Sequence, residues 1–344
     1  MEATEPGRVL RGTMQKKAVS LISGGLDSLL ATKLIKDQGI EVKALHFTSP
    51  FCNCTHGGKK GCGVQAVRSS EELGVEVAVK VKGAEYLKML QAPLHGYGSH
   101  MNPCIDCRIF MLRETVKFME EVGASFVVTG EVLGQRPMSQ RREAMRIIDK
   151  ESGLEGLIVR PLSAQHFPPT LPEKEGIIDR KKLLNLSGRS RMEQYRLAKE
   201  QDLKEYSCPA GGCLLTDPIF AVKLRDLFRF NPDCTMFDAA LLKIGRHFRL
   251  SETTKLILGR NEEENGRLEA LSRAGHPILK PISFVGTSGL LVGAANEEAV
   301  PAAANIMASY SKSPEFPVII EVINGSPARH TIDRLSLNLD QLKI

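Results

Sequence analysis

Between an apolar run and a helix-like segment the chain places Ser23-Gly24-Gly25-Leu26-Asp27-Ser28. A strand that feeds a glycine-rich turn into a helix leaves backbone N–H groups free at the positive end of the helix dipole. That geometry binds phosphates. Gly24 and Gly25 allow close approach of the backbone and unusual φ values. Ser23 and Ser28 add hydroxyl donors. Asp27 would repel a phosphate unless a cation lies between them, which points to Mg2+. The Gly-Lys-Ser/Thr of a Walker loop is missing, so an ordinary NTPase cradle is not implied. A tight turn with an acid near a helix start is the plain alternative. The complete set, directly after the first apolar strand, argues against it.

A second group of reactive residue types is the cysteines, eight in number, at positions 52, 54, 62, 104, 107, 208, 213 and 234. Cys104-x-x-Cys107 opens a predicted helix, a spacing at which two thiols can face one metal. A helix N-terminus also favours thiolate over thiol. A redox pair or half of a zinc site would use the same spacing. "CPAGGCLLTDP" holds Cys208 and Cys213 in a loop set by Pro209, Gly211 and Gly212. Three thiolates from two loops would leave one coordination position open, as in a reactive site. "FCNCTHGGKKGCG" brings Cys52, Cys54 and Cys62 around His56. It is a candidate second metal site, zinc included, or a flexible sulfur-relay loop, although its spacing matches no common zinc module. Cys234 stands by itself and reads as a small core thiol.

These residues need a frame. The periodicity predicts strands over 18–22, 41–47, 74–82 and 124–131, alternating with helices over 29–37, 64–73 and 105–122. Such alternation implies a doubly wound parallel sheet, hence an α/β fold. The glycine turn, the loop after the second strand and Thr129-Gly130-Glu131 then share the strands' C-terminal ends, where ligands of such sheets bind. After Gln135 the rhythm breaks. "RPMSQRREAMRIIDKESG" and the proline-rich "VRPLSAQHFPPTLPEKEG" read as connectors around a site, followed by a helix over 192–201. Gln135, Arg136, Ser139, Arg141 and Arg142 would rim that site and meet ATP phosphates or an RNA backbone, and "SGRSRMEQ" is a second basic loop. From about Phe237 a different mixture begins, read as a smaller α+β domain.

The bulk numbers agree with two domains. The chain has 344 residues, 42% of them apolar, more than one compact domain needs. No run approaches a membrane span, and the first twenty residues lack the apolar stretch of a secretory signal. A cytoplasmic chain with no membrane partner is expected. In that compartment a disulfide framework is not. Forty-six Lys+Arg against 40 Asp+Glu give +6, which permits a nucleic-acid partner. Tryptophan is absent and tyrosine sparse, so an aromatic base-stacking platform is not favoured.

"SGGLDS" resembles the signature of the PP-loop ATP pyrophosphatase superfamily, over roughly residues 15–220. The resemblance implies an adenine nucleotide alpha hydrolase-like fold that cleaves ATP between the α and β phosphates and adenylates an oxygen. Ser23, Gly24, Gly25, Asp27 and Ser28 would cradle pyrophosphate and Mg2+. His46 and Phe47, ending the second strand, would lie near adenosine, with Gly130 at the same edge. "NPC" before Cys107 and a distant cysteine in a glycine-rich loop is similar to the tRNA 2-thiouridine and 4-thiouridine synthases. In cluster-dependent members three cysteines hold a [4Fe-4S] cluster; in cluster-free members two cysteines carry and resolve a persulfide. Cys104, Cys107 and Cys213 match the cluster pattern, with Cys208 as substitute for Cys213. Cys213 is preferred because it follows Gly-Gly directly and opens an apolar run. "KIGRHFRLSETTKLILGRNEEEN" resembles a small RNA-associated module found on some tRNA thiolases and ribosome quality-control factors. Its Arg246, His247, Arg249, Lys255 and Arg260 would touch phosphates.

The expectation is therefore a loose N-terminus over 1–14, a PP-loop domain over 15–225, an RNA-associated domain over 237–330 and a tail over 331–344. The expected activity is ATP-dependent tRNA thiolation, with 4-thiouridine as the first product to test. Asp27, Cys104, Cys107 and Cys213 are the catalytic candidates, and cysteine desulfurase or free sulfide the sulfur donor. No N-terminal RNA-binding extension or rhodanese-like carrier of the usual 4-thiouridine synthetase is seen. The alternative is a PP-loop ligase that adenylates a small molecule and uses its cysteines for structural zinc.

Overall fold

Lys17–Leu21 (β1) is buried at all but its first residue, as a central strand of a parallel sheet must be. The computed structural model describes residues 14–52, 62–206, 213–272, 275–293, 298–312 and 314–344. The loose N-terminus expected over 1–14 falls almost wholly outside them. Leu26–Lys36 (α1) follows β1 through the glycine turn. Next come Glu41–Thr48 (β2), Cys62–Glu72 (α2), Val77–Val81 (β3), Ala84–Gln91 (α3), Cys104–Val122 (α4) and Phe126–Thr129 (β4). Arg142–Glu151 (α5), Ile158–Val159 (β5), Leu171–Lys174 (α6) and Met192–Glu200 (α7) complete the first unit.

The strands pair in the order β3-β2-β1-β4-β5, in parallel. The order reverses between β1 and β4, and that switch point is where such sheets open a ligand crevice. On one face Leu29, Leu30 and Ile35 of α1 pack with Ala66 of α2 and Ala198 of α7. On the other, Ile109, Leu112 and Met119 of α4 pack with Ile148 of α5. The stretch read as a polar connector is partly the helix α5. Its Ala144, Met145 and Ile148 are buried, a stripe too narrow to stand out among its charges.

The chain divides between Thr216 and Asp217. Pro218–Phe230 (α8) therefore belongs to the second unit, which begins earlier than its apolar pattern suggested. Met236–Leu241 (α9), Arg246–Arg249 (β6), Thr254–Leu258 (β7), Glu262–Ser272 (α10), Ile278–Pro281 (β8), Gly289–Gly293 (β9), Ala299–Ser309 (α11), Val318–Asn324 (β10), Ser326–Ile332 (β11) and Leu339–Leu342 (α12) follow. The sheet runs β11-β10-β8-β9-β7-β6, antiparallel throughout. Ile306 and Met307 of α11 fill one core with Phe248, Leu256 and Leu291. Leu337, Leu339 and Leu342 pack on it as well, so the stretch expected as a tail is part of the unit. Among the described residues no helix is long and apolar enough to cross a membrane.

Candidate nucleotide and thiol site

Gly24 takes φ +74°, and a Cβ there would lie 2.9 Å from the Ala66 backbone nitrogen. Both facts require glycine. Gly25 is the N-cap of α1 and supplies no side-chain cap, so the first N–H groups of the helix have no side chain over them. Ser28 Oγ donates to the Gly25 carbonyl at 2.8 Å and accepts from Ser23 N at 3.1 Å. The two serines thus fasten the turn. Gly130, just past β4, meets this turn closely: a Cβ would lie 2.5 Å from Ser28 N and 2.6 Å from the Asp27 carbonyl oxygen.

Asp27 Oδ2 accepts from Gln135 Nε2 at 2.7 Å and faces Arg191 at 3.6 Å. Gln194 holds Gln135 in turn, at 3.0 Å. Asp27 Oδ1 is buried with no hydrogen-bond partner. A buried carboxylate oxygen left open suits a cation, so the residues present fit Mg2+ on a phosphate chain.

His46 and Phe47, adjacent on β2, face opposite sides of the sheet. His46 Nδ1 hydrogen-bonds the Ile22 carbonyl at 2.8 Å, and its Nε2 is buried without a partner. Burial, with the Lys82 charge, lowers its pKa below the ordinary histidine value, so the ring is neutral and Nε2 is an open acceptor. Phe47 lines a groove of about 300 Å³ with Lys80, Phe110 and Glu114, on the α4 side. Only His46 of the pair is beside the glycine turn.

The thiols are gathered by the loops at the same edge. Leu214 N donates to the Phe51 carbonyl at 3.0 Å, and Met101 N to the Leu215 carbonyl at 3.0 Å. These bonds tie the segment of Cys213 both to the loop after β2 and to the approach to Cys104. Lys82 Nζ lies 3.3 Å and Tyr86 Oη 3.4 Å from Cys107 Sγ. Asn102 Nδ2 lies 2.9 Å from Cys104 Sγ. Tyr86 is wedged between Phe51 and Phe110, with ring centroids at 5.9 and 5.3 Å.

The three thiols of this neighbourhood are shifted differently. Burial pushes Cys107 up, but the Lys82 ammonium, the Tyr86 hydroxyl and Arg108 outweigh it and hold Cys107 below the ordinary thiol value. Burial and the neighbouring Cys107 raise Cys104. Burial pushes Cys213 up to about 11. Cys107 is therefore the most acidic thiol of the group, and Cys104 and Cys213 are the less acidic ones. The fit to a three-cysteine cluster is incomplete: among the described residues no group of three or more Cys, His, Asp or Glu is placed to hold a metal. Cys54, Cys208 and the side chain of Cys62 lie outside the described residues. Cys52 is disulfide-bonded, and in that state its sulfur is not a thiolate ligand.

Behind the thiols, Glu131 accepts from Arg108 and from Arg160, both at 2.9 Å. Arg160 also grips Asp149, at 2.8 and 2.5 Å. Glu131 and Arg160 are 2% and 5% exposed, so this is a buried network. Of the basic stretches, Gln135 and Arg191 reach Asp27, whereas Arg142 turns to the His166 carbonyl and the Phe167 ring. Lys82, Tyr86 and Arg108 are functional candidates that sequence reading missed. Their one signal was position: Lys82 ends the third strand and Arg108 follows Cys107.

In the second unit two of the cations expected to meet phosphates, His247 and Lys255, are buried, whereas Arg260 is exposed. His247 is 1% and Lys255 5% exposed. Arg249 pairs with Asp226 at 3.1 Å. Arg260 Nη2 donates to the Gly245 carbonyl at 2.7 Å, which Lys223 Nζ also reaches at 3.0 Å. Lys223 and Arg260 thus satisfy a carbonyl of the α9–β6 turn, and Arg249 and Lys255 face Asp226.

The fold and the glycine turn define a class: a doubly wound nucleotide-site domain of PP-loop type, joined to a separate antiparallel unit. Residues 13–178 match the family described as "Thiamine biosynthesis protein (ThiI)", and residues 245–338 match "NFACT protein RNA binding domain". Over those spans the first unit is similar to the ThiI family and the second to the NFACT RNA-binding domain. A "Probable tRNA sulfurtransferase" of Methanothermobacter thermautotrophicus is 32% identical over 38% of this chain and 32% of its own length. That of Geobacillus kaustophilus is 32% identical over 42% and 34%. The chain spans about a third of the length of these curated relatives. A crystal structure described as a 4-thiouridine synthetase–RNA complex with bound ATP is 22% identical, covering 66% of this chain and 52% of its own, with a TM-score of 0.34.

Proposed function

We propose that this chain is an ATP-dependent sulfurtransferase acting on a uridine of tRNA. The observation that carries the reading is the shared sheet edge: Asp27, with an open buried oxygen in a phosphate-binding turn, and Cys107, its thiol made more acidic by Lys82. The ThiI-family match and the names of the relatives support it, and the NFACT-type unit supports an RNA substrate.

In this reading the α1 N-terminus and Ser23–Ser28 hold the diphosphate end of ATP, and Asp27 the Mg2+ that screens its charge. His46 Nε2 accepts a hydrogen bond from the nucleoside. The uridine carbonyl oxygen attacks the α-phosphorus and pyrophosphate leaves, so a poor leaving group becomes AMP. A terminal persulfide sulfur on Cys107 then attacks the uridine carbon and AMP departs. A second thiol, Cys104 or Cys213, breaks the resulting S–S bond. The thiolated base is released, a protein disulfide forms, and an external dithiol reduces it. The outer sulfur is loaded at the sulfane oxidation level by a cysteine desulfurase. Lys82 and Tyr86 favour the anionic form of the Cys107 sulfur.

The test is incubation of the purified full chain with MgATP, unmodified tRNA and a persulfide source, followed by mass spectrometry of the nucleosides. Appearance of one thiouridine, 4-thiouridine before 2-thiouridine, with matching pyrophosphate release is expected. Pyrophosphate exchange that ignores tRNA would transfer the protein to the small-molecule ligases. No ATP turnover under any of these conditions would remove the proposal.

A further inference from the structure

The loop 134–140 joins the two halves of the site. Its Gln135 hydrogen-bonds Asp27 at 2.7 Å. Three residues on, Met138 presses on Gly98, where a Cβ would lie 2.8 Å from its Cε. Gly98 N donates to the Asn102 carbonyl at 2.9 Å, and Asn102 holds Cys104. Arg136 lies between these anchors, and its charge is felt beside Arg108, Cys104, Arg191 and Asp27.

Arg136 is left without a bonded partner by this arrangement. The one carboxylate whose charge it feels, Asp27, already bonds Gln135 and faces Arg191 through Oδ2. Among the described residues its guanidinium forms no ion pair or hydrogen bond. A guanidinium crowded by two others and left without an anion is set to receive one. Its planar fork matches a phosphate with two parallel hydrogen bonds.

We propose that Arg136 is the clamp for the α-phosphate, binding the nucleoside monophosphate half of ATP between the glycine turn and the thiols. The inference rests on the ATP reading above and adds to it the residue that grips AMP after the diphosphate has separated. The turn accounts for the diphosphate; the next phosphate toward Cys104 has no other unpaired cation on this loop. As the carbon–oxygen bond breaks, charge gathers on the departing AMP, where a fixed cation counts most.

Calorimetric titration of the full chain with AMP, and separately with Mg-pyrophosphate, tests this. Arg136→Ala is expected to weaken AMP roughly tenfold or more, the size of a lost charge-assisted hydrogen bond. Pyrophosphate binding should change less than about twofold in the same variant, since the turn is intact. Arg136→Lys, which keeps the charge and loses the fork, should fall between. AMP binding unchanged in Arg136→Ala overturns the clamp, and so does an equal loss of both ligands. Wild-type protein that binds neither ligand overturns the ATP reading itself, a result distinct from either.

Discussion

Lys82 Nζ stands 3.3 Å from Cys107 Sγ and 4.7 Å from the centre of the Tyr86 ring. One ammonium thus serves both the Cys107 sulfur and the aromatic that donates to it. The edge strand β3 leads to it: Lys80 lies on the strand and Lys82 directly follows it, and α4 answers with Glu114 for the first and Cys107 for the second.

Lys82→Met should therefore unmask the Cys107 thiol. Its folded pKa now lies below the ordinary value against the pull of burial. The thiolate is present above that pKa and is lost as pH falls through it. Removing the ammonium leaves burial dominant, so the midpoint should move up in pH. The pH profile of iodoacetamide labelling at Cys107, read by peptide mass spectrometry, checks this. Labelling at Cys213, held up to about 11, should remain slow near neutral pH in both proteins. Equal profiles for wild type and variant would remove Lys82 from the site.

Gly130→Ala should damage the phosphate turn from behind. The added methyl would sit 2.5 Å from Ser28 N, against backbone that cannot rotate away. Overpacking of this kind costs about 1–3 kcal/mol. Urea unfolding should report that loss, and MgATP affinity should fall with it, because the atoms displaced are those at the start of α1. Gly39→Ala is the control: φ is +78° there, but no atom lies within 4 Å, so strain without contact should spare ATP binding.

The glycine turn, the alternation of strands and helices and the Cys104–Cys107 pair were legible because each depends on neighbours in sequence. Gly24 needs its left-handed φ whatever packs on it. The helix start at Cys104 lay within a residue of expectation. Lys82 and Tyr86 were not legible, since their meaning comes from Cys107, more than twenty residues away. His46 and Phe47 were read as a pair, although adjacent strand residues must face opposite ways. The cations of the second unit were read as surface because composition does not tell a buried lysine from an exposed one. Lys223 and Lys255 satisfy an internal need, and burial lowers both to about 8.

Arg160→Ala should destabilise the first unit. It strands Asp149 and leaves Glu131 with Arg108 as its cation, both beneath the sheet edge. Breaking a buried pair by removing one partner costs about 3–5 kcal/mol. A fall in the first unit's unfolding midpoint is expected, with that of the second unit unchanged because Arg160 lies outside its core. Glu131→Gln with Arg160→Met, which removes charge on both sides, should recover part of the loss. If the double variant is as unstable as Arg160→Ala, the network is not what holds this edge.

Asp27→Asn should separate binding from stability. The amide keeps the shape of the side chain and an acceptor for Gln135, while Oδ1, buried and unpartnered, loses its share of the charge. A carboxylate oxygen buried without a partner weakens the fold, so its neutralisation should leave the unfolding free energy level or slightly raised. Ligand binding should move the other way. The cation that bridges Asp27 to a phosphate needs that charge, and Mg2+-dependent binding of pyrophosphate should drop roughly tenfold or more, by the loss of one charged contact. Titrations with and without Mg2+ separate the two terms. In wild type the metal should strengthen binding, and in Asp27→Asn that gain should largely vanish. A variant that keeps the full Mg2+ effect would mean that Asp27 only fastens the loop through Gln135, and the open oxygen would need another explanation.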